Sequence, residues 1–429
     1  MKINSVSEFL KRQFKDIKEL NKKALIRKTK KLFLYFLFIL LIPITLPIIF
    51  IIRIINKFFL IRIGSIPSSR IGHFCLNTEI YLCKKNELSK KIKVIDFLYL
   101  NKIISNNFLK KKWSKIINFY PRIILEPLDF CNSIIPFSNK HKIKFTIFGD
   151  RDVENLLPKN KPFLNLTSQE ILEGEKFLLN MGIKKNDKIV CLNVRDDAFL
   201  KINDKSKDWS YHSYRDANIE NFLEAAEYLA EKKYFVFRMG VKVNKKFLSN
   251  NKRIIDYATN GMRTEFLDFF LAYRCEFCIT TGSGYDAIPQ LFRKPLLYVS
   301  YSPLAYLNTF NTKNLTIFRT HLSLENNKEM SLKEIFSKGA GFIFSTQGFK
   351  NKKIKLLEST SSEIKNATEE MVQRLENTWE ETEDNKNLQS RFWEIYNECI
   401  NNLPVKIDEL HGDQKSKIGY SFLKKKNFI

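Results

Sequence analysis

The feature that most constrains the fold is a regular alternation of short apolar segments with amphipathic segments in the middle of the chain. The apolar segments have the length of strands, and the amphipathic ones have the length of helices. The predicted strands are Lys188–Val194, Tyr234–Arg238, Arg253–Tyr257, Phe277–Thr280 and Pro295–Val299. The predicted helices are Asn218–Lys232, Arg263–Tyr273 and Tyr285–Phe292. Strands that alternate with helices in this way predict an α/β fold, with a parallel sheet covered by helices on both faces.

An earlier block of the same kind begins near Arg62 and ends near Lys161, with a predicted strand at Lys93–Leu100 and a basic helix at Lys102–Ile117. A capping box at Thr167–Glu170 marks the start of the next helix, because a hydroxyl at the N-cap is followed by a carboxylate three residues later. The chain after residue 351 is polar and predicted to be mostly helical. Two successive α/β blocks are therefore expected, followed by a helical segment.

Near the N-terminus, Leu32 to Ile52 is a run of 21 residues without a charge. About 20 apolar residues are enough to cross a bilayer as a helix. Residues 1–31 hold eleven Lys or Arg against three Asp or Glu, and the other flank is basic too. Pro43 and Pro47 interrupt the run, and proline kinks a helix. The pattern favours a kinked, re-entrant anchor with both flanks on one side, while a true span and a buried core helix remain as alternatives.

The chain of 429 residues has 72 Lys or Arg against 46 Asp or Glu, a formal net charge of +26. Such a charge predicts a polyanionic partner: nucleic acid, anionic lipid or a phosphorylated substrate. Diffuse surface lysine without a partner is the alternative. Near-average proportions of hydrophobic and charged residues, 44% and 28%, exclude a disordered or collagen-like chain.

The seven cysteines are scattered through apolar contexts, which predicts reduced thiols rather than a disulfide framework and favours the cytoplasm. Cys275 and Cys278 have the spacing of a redox motif, but they lie in or next to a predicted strand, where packing is the expected role. His, Cys, Asp and Glu show neither zinc-site spacing nor an Asp-x-Asp motif. The sequence therefore predicts no metal and no cofactor.

Three predicted strands end in residues suited to phosphate, and parallel strands bring their carboxyl ends to one crevice. Arg195 offers a planar guanidinium fork, with a salt bridge to Asp196 or Asp197 as the alternative. Arg238 and Gly240 follow the next strand, with a surface arginine as the alternative. The third end is a turn of hydroxyl-bearing residues and glycines at a helix start, where backbone N–H groups could hold an anion. Its residues are Thr281, Gly282, Ser283, Gly284, Tyr285 and Asp286.

Two loops offer candidates for a general base. In the aromatic and polar loop Asp208–Asp216, His212 titrates in the useful range. In the predicted glycine turn Ser68–Phe74, His73 could serve a substrate hydroxyl, as could Glu79 shortly after it. An uninvolved loop histidine, and ordinary turn and core residues, are the alternatives.

Several of these stretches resemble a family of bacterial glycosyltransferases from surface-polysaccharide gene clusters. The similarity covers roughly residues 65–400, and Asn193 departs from it because many relatives have histidine there. Arg195 is also similar to the donor-diphosphate arginine of fucosyltransferases. The matching stretches are Arg70–His73 with Asn77–Glu79, Val190–Arg195, Tyr211–Ile219, Phe237–Gly240, Ile254–Ala258, Thr280–Pro295 and Leu388–Trp393.

The resemblance implies a two-Rossmann (GT-B type) glycosyltransferase that uses a nucleotide-activated sugar. Such an enzyme would build a cell-envelope glycan, and a lipid-linked or lipopolysaccharide-like acceptor would explain the apolar anchor and the positive charge together. Together with the basic N-terminus and the apolar run, the resemblance gives the expected organisation: a basic arm and membrane anchor at 1–64, an acceptor domain at 65–165, a nucleotide-sugar domain at 166–350 and a helical tail at 351–429. Arg195, Arg238, Gly240 and the turn Thr281–Asp286 would then bind the donor.

The expected location is the cytoplasmic face of a bacterial inner membrane, at an anionic surface, through Leu32 to Ile52. A pyruvyl or phosphate transferase for polysaccharide is the alternative enzyme. A nucleic-acid binder is less favoured, because the positive charge is mainly lysine and partly terminal.

Overall fold

The computed structural model describes residues 22–136, 138–145, 148–203, 208–309, 311–403, 408, 410–425 and 428–429. The α-helices are α1 Lys22–Ile54, α2 Ile71–Ser89, α3 Asn107–Trp113, α4 Arg122–Ile134, α5 Ser138–His141, α6 Ser168–Asn180, α7 Ala198–Asn203, α8 Leu223–Glu231, α9 Glu265–Arg274, α10 Ala287–Leu291, α11 Leu332–Ser337, α12 Thr346–Asn351, α13 Ser361–Glu376, α14 Glu383–Ile400 and α15 Tyr420–Leu423. The strands are β1 Leu60–Ile66, β2 Val94–Leu100, β3 Lys188–Asn193, β4 Tyr234–Arg238, β5 Ile254–Ile255, β6 Phe277–Thr280, β7 Leu296–Tyr301, β8 Leu315–Phe318, β9 Thr320–Ser323, β10 Lys328–Glu329, β11 Ile354–Leu357 and β12 Lys417–Ile418.

The described residues form two compact units. The first unit contains the described residues up to Ser65, together with Glu87–Leu100 and Ile117–Lys144. The second unit contains Ile66–Asn86, Asn101–Ile116 and the described residues from Phe145 onwards.

In the first unit, β1 and β2 form a two-stranded sheet, extended by isolated parallel bridges from Ile63 to Lys142 and from Leu98 to Phe119. These are the strands described within or beside the predicted 65–165 domain, so a second complete Rossmann-like domain stays a prediction. Helices α1 and α4 pack against this sheet around Ile49 and Cys131.

The predicted re-entrant hairpin in the apolar run is wrong, because α1 continues through both prolines without reversing. Pro43 and Pro47 are four residues apart on the exposed side of the helix. Each removes one backbone donor, but the neighbouring i→i−4 bonds carry the helix past it.

The second unit is built on a seven-stranded sheet in the order β12-β8-β7-β6-β3-β4-β5. Every neighbouring pair in it is parallel. From β5 to β8 this is the 3-2-1-4-5-6 strand order of a Rossmann-type sheet, whose order reverses between β3 and β6. The predicted parallel α/β sheet is therefore confirmed for this unit.

A smaller antiparallel sheet, β10-β9-β11, belongs to the same unit. The segment after residue 351 is mostly helical, as predicted, and adds β12 to the edge of the main sheet beside β8. Phe392 and Tyr396 of α14 are buried in the main core. This segment is thus part of the second unit's core.

Three predicted local structures differ from the observed ones. The predicted basic helix Lys102–Ile117 is limited to α3, because the Asn106 side chain accepts a hydrogen bond from Leu109 N and caps the helix there. The predicted strand Arg253–Tyr257 is reduced to the two residues of β5. The predicted glycine turn around Gly72 is already the first turn of α2.

Candidate active site

The carboxyl ends of β3 and β6 lie side by side where the strand order reverses. Asn193 is paired with Thr280 in the sheet, and its Nδ2 donates to Ser283 Oγ at 2.6 Å and to Thr280 Oγ1 at 3.3 Å. The backbone N–H of Arg195 donates to Thr281 Oγ1 at 2.9 Å. These bonds join two of the predicted strand ends into one site, at the position where open α/β sheets bind ligands.

The glycine-containing turn after β6 is held by its own side chains. Gly282 has a φ of +84°, which favours glycine, and its N–H donates to Thr280 Oγ1 at 3.2 Å. Asp286 accepts from Thr280 Oγ1 at 2.5 Å and from Ser283 N at 2.8 Å, while Ser283 Oγ accepts from Tyr285 N at 3.1 Å. Burial raises the pKa of Asp286 to about 6, although these bonds oppose the rise.

The sequence predicts that backbone N–H groups of this turn hold an anion. Three of them are already bonded inside the turn: those of Gly282, Ser283 and Tyr285. Direct phosphate binding by these groups stays a prediction. The turn acts in this structure as a fixed platform that positions Asn193 and the backbone of Arg195. The Tyr285 hydroxyl points into the core, donating to Asp268 O at 3.4 Å, and burial keeps its pKa well above the usual range.

Two glycines let the first turn of α2 approach this platform closely. A Cβ on Gly72 would lie 3.3 Å from Gly284 Cα, and a Cβ on Gly284 would lie 3.2 Å from Ile71 Cγ2. Both distances are tighter than side chains normally accept. The approach brings Arg70 and His73, on either side of this contact, towards the end of β6.

Cationic side chains converge beside the platform. Arg195 is mostly buried, and its Nε donates to Asp216 Oδ1 at 3.2 Å. Burial lowers the pKa of Arg195, and the neighbouring charge of Arg215 lowers it further, while Asp216 raises it. The alternative prediction for Arg195 is a salt bridge to Asp196 or Asp197. Both carboxylates instead accept hydrogen bonds from Asn244.

The cluster has unused hydrogen-bonding capacity. Among the described residues, buried Nη2 of Arg195 and buried Nε of Arg215 have no hydrogen-bond partner. Arg319, just after β8, donates from Nη2 to the Asp216 carbonyl oxygen at 2.6 Å, and burial lowers its pKa. Buried donors without partners are uncommon in folded proteins and suggest a place for a ligand that accepts hydrogen bonds.

His212 lies among these cations. Burial, then the charges of Arg215, Arg195 and Arg70, lower its pKa to about 4. The His212 ring packs against Tyr211 at a tilt, with ring centroids 3.9 Å apart, and lies nearly parallel to Trp209, with centroids 6.4 Å apart. The imidazole is therefore neutral at pH 7, and its buried Nδ1 has no partner among the described residues.

Thr346 of α12 anchors the loop that carries His212. Its Oγ1 accepts from Tyr214 N at 3.1 Å and donates to Ser210 O at 2.9 Å. Tyr214 also packs against Phe349 of the same helix. These contacts hold the loop of His212 against α12.

The other two base candidates have different surroundings. His73 Nδ1 lies 3.2 Å from Asn77 Oδ1 and 3.9 Å from Asp150 Oδ2, and the side chain is partly exposed. Glu79 is fully buried, accepting from Arg293 Nη2 at 2.7 Å and from Phe163 N at 3.0 Å. Burial raises the pKa of Glu79, and Arg293 opposes the rise. His73 thus remains available to a substrate, whereas Glu79 has the surroundings of a structural ion pair.

Arg238 is also engaged in structure. Its side chain is only 1% exposed, and Nη1 donates to Asp256 Oδ1 at 3.1 Å. Asp256 Oδ2 accepts from Phe247 N at 3.0 Å, so the pair holds the loop before β5. Gly240 has a φ of +154° and approaches Val243 and Ala258. A donor-binding role for Arg238 and Gly240 stays a prediction, whereas Arg195 is placed in the cationic cluster.

Among the residues that the structure describes, no three His, Cys, Asp or Glu side chains come together in a possible metal site. Arg215, Asp216 and Arg319 contribute to the site without having been assigned a role from the sequence. Arg319 directly follows β8, so the rule used for the other strand ends would have found it had that strand been predicted.

No known family profile matches the sequence, and no curated protein matches it. A solved glycosyl transferase family 9 protein from Veillonella parvula DSM 2008 is similar with 12% identity and a TM-score of 0.38, over 60% of this chain and 85% of that one. The ADP-heptose LPS heptosyltransferase II of E. coli is similar with 12% identity and a TM-score of 0.32, over 60% of this chain and 90% of that one. Likenesses of this strength leave the function to be inferred from the site.

Proposed function

We propose that the protein is a membrane-associated glycosyltransferase that binds the diphosphate of a nucleotide sugar at the carboxyl ends of β3 and β6. The observation that carries the proposal is the group of Arg70, Arg195 and Arg215 around His212, at the reversal point of a Rossmann-type sheet. Asp216 is the carboxylate bonded to Arg195 there.

A diphosphate suits this cluster for two reasons. Its oxygens accept the hydrogen bonds that Arg195 Nη2 and Arg215 Nε leave unmade. Its negative charge also relieves the repulsion that lowers the pKa of Arg195. During transfer, the leaving nucleoside diphosphate gains charge, and fixed cations stabilise that charge without reorganising.

His212 and His73 are the proposed candidates for deprotonating the acceptor hydroxyl. His212 is neutral and can accept a proton, but a pKa of about 4 makes it a weak base until an anion offsets the arginines. His73 is partly exposed, and its Nδ1 lies 3.9 Å from Asp150 Oδ2. The acceptor is proposed to be lipid-linked or lipopolysaccharide-like, which accords with the apolar helix α1.

The test is thermal stabilisation of the purified full chain by UDP, GDP, CMP and ADP, each compared with inorganic phosphate. Stabilisation by UDP, GDP or ADP supports the proposal, whereas stabilisation by none of the four nucleotides, by CMP alone or by phosphate alone contradicts binding of a diphosphate. A response to phosphoenolpyruvate alone would favour the pyruvyl transferase.

Arg195→Ala should remove the nucleotide response without unfolding the protein. Arg253→Ala is the matched control, because that guanidinium donates to Lys233 O and lies over Phe235, before the start of β5 and away from the strand ends that form the site. Equal loss of the response in both variants would contradict the assignment of Arg195.

A further inference from the structure

Helix α1 has two different apolar faces in its second half. Thr45, Ile49 and Ile52 lie on the protein side, where Ile49 and Ile52 join an apolar cluster with Cys131. Two polar contacts fix this packing: Thr45 Oγ1 donates to Cys131 Sγ at 2.9 Å, and Arg53 Nη2 donates to Asn132 Oδ1 at 2.6 Å. Helix α1 is therefore built into the first unit from about Ile42 onwards.

The opposite face is apolar and exposed. Ile44, Ile48 and Ile51 follow the i, i+4, i+7 spacing of one helical stripe, and Ile54 and Phe58 extend the exposed apolar surface beyond them. The segment Leu40–Lys57 has a mean hydropathy of 1.9, and 17% of it is buried. A continuous apolar surface of this kind is unusual on a soluble protein and indicates contact with lipid or protein.

The packing of α1 limits how deeply it can insert. If Leu40–Lys57 crossed the bilayer, α4 and the β1–β2 sheet would lie at hydrocarbon depth with it. That would place the Arg62–Asp96 ion pair, with Nε–Oδ1 at 2.8 Å, in the membrane interior, where charged groups are expensive. A folded α/β unit is not accommodated there, because its loops contain unpaired backbone groups.

The apolar run before this packed portion, Leu32 to Leu41, has ten residues. At about 1.5 Å per residue this part reaches roughly 15 Å. That is half of the hydrocarbon thickness of about 30 Å. The six Lys or Arg of residues 22–31 continue the same helix, so an upright helix would carry them past this depth into the hydrocarbon. An orientation along the membrane surface, within one leaflet, is the one that the packing and these charges allow.

A second exposed apolar group lies on the helix that packs against α1. Ile123 is 83% exposed and Ile124 is 59% exposed, in the first turn of α4, and Tyr120 is exposed just before it. Tyrosine is common at membrane interfaces because its ring is apolar and its hydroxyl polar. These side chains belong to the same unit as α1, because α4 packs against α1.

The charge of the first unit favours anionic lipid. Its segments 40–65, 87–100 and 117–144 contain ten Lys or Arg against four Asp or Glu. Close to the end of α1, a hollow of about 370 Å³ is lined in part by Asn56, Arg62, Lys140 and Lys142. Basic residues next to an apolar surface are the pattern of interfacial membrane binding.

We propose that the first unit binds an anionic membrane from one side, through the exposed stripe of α1 and the first turn of α4 together. Helix α1 lies along the membrane surface within a single leaflet, so both ends of the chain lie on the same side of the membrane. This proposal concerns attachment and holds whether or not the protein transfers sugars.

The first test locates the two ends of the wild-type chain. Small epitope tags at the N-terminus and after Ile429 are probed with protease in inverted and right-side-out membrane vesicles. Digestion of both tags in the same vesicle type supports the proposal, and digestion in opposite types overturns it.

The second test measures flotation of the full chain with vesicles of phosphatidylcholine alone or with added phosphatidylglycerol. Replacing both Ile123 and Ile124 by Glu should reduce binding to the anionic vesicles by about tenfold or more, because two apolar contacts are lost and two like charges are gained. The matched control replaces Ile103 and Leu248, which are equally exposed on the second unit, by Glu.

Unchanged binding of the Ile123 and Ile124 variant overturns the second contact, as does an equal loss in the control. Equal binding of the wild type to both vesicle types overturns the preference for anionic lipid. A thermal melt of each variant shows that it is folded. If the glutamates unfold it, Ser at both positions gives the same comparison with a smaller change.

Discussion

His212 provides the most direct test of the cationic cluster, because its titration reports on the arginines around it. Its pKa is lowered to about 4, first by burial and then by Arg215, Arg195 and Arg70. Replacing Arg215 with Gln removes the charge that lowers the His212 pKa most and retains a polar side chain. We expect the His212 pKa to rise towards the ordinary value of about 6.5, but not to reach it, because the burial remains.

The size of the effect is easy to measure at pH 5. With a pKa of about 4, about 90% of His212 is neutral at that pH, whereas an ordinary histidine is about 97% protonated. Ligand binding should follow the same electrostatics. If a bound diphosphate returns the His212 pKa to about 6.5, linkage makes the affinity about 20-fold higher at pH 5 than at pH 7.

The assay is an NMR titration of protein labelled only at histidine, since the chain has five. The His212→Asn variant identifies the resonance by its loss. The same titration in urea gives the unfolded reference, and isothermal calorimetry with a nucleotide sugar gives the affinity. A sugar diphosphate diester is the suitable ligand, because its phosphates do not change charge between pH 5 and pH 7.

A His212 resonance that titrates near 6.5 in the ligand-free protein would refute the description of the cluster. A low pKa that Arg215→Gln leaves unchanged would show that burial alone is responsible. In either case the argument for an anion site would lose its electrostatic support.

Much of the second unit could be predicted because its signals are local. The apolar segments at β3, β4, β6 and β7 mark buried parallel strands, and the rule that such strands end at one crevice brought Arg195 and the turn after β6 together. The Thr167 capping box is present as predicted, since it depends on four consecutive residues.

The different positions of Arg195 and Arg238 could not be predicted from the sequence. Both are arginines at the end of a strand and look equivalent in the sequence. Arg238 is the last residue of β4 and is directed into the protein, where Asp256 neutralises it. Arg195 lies two residues beyond β3 and joins Arg215. The position of Arg238 depends on Asp256, which is 18 residues away in the sequence. The position of Arg195 depends on the neighbouring strand, because its backbone N–H donates to Thr281 Oγ1.

The course of α1 was mispredicted for a related reason. Two prolines in an apolar run are a local signal for a kink or break, but the packing of Ile49 and Ile52 against α4 stabilises a continuous helix. The ion pair of Glu79 could not be predicted either, because its partner Arg293 is distant in sequence, and a catalytic role for Glu79 stays a prediction.

Three further predictions follow from contacts in the second unit. Gly284→Ala should lower the free energy of unfolding by about 1–3 kcal/mol in denaturant titrations, and its effect should be less than additive with Gly72→Ala, because both new methyl groups enter one contact. Glu79→Gln should lower stability by about 3 kcal/mol, because it leaves the Arg293 charge unpaired; a loss of activity at unchanged melting temperature would instead indicate a catalytic base. His321→Asn should make the protein less sensitive to acid. Burial lowers the pKa of His321 to about 4, and its Nδ1 lies 3.1 Å from Arg319 O, a bond that the Asn amide can replace. Below pH 6.5 the unfolded chain binds a proton at this position that the folded protein does not bind, so the wild type loses stability as the pH falls. Between pH 7 and pH 5 this amounts to about 2 kcal/mol, which should be absent in the variant when unfolding is measured at both values. Carboxyls whose pKa is raised by burial act in the opposite direction, but they are common to both proteins and cancel in the comparison. Parallel stability curves for the two proteins would show that His321 takes up its proton without unfolding, and hence that its surroundings do not exclude the charged form.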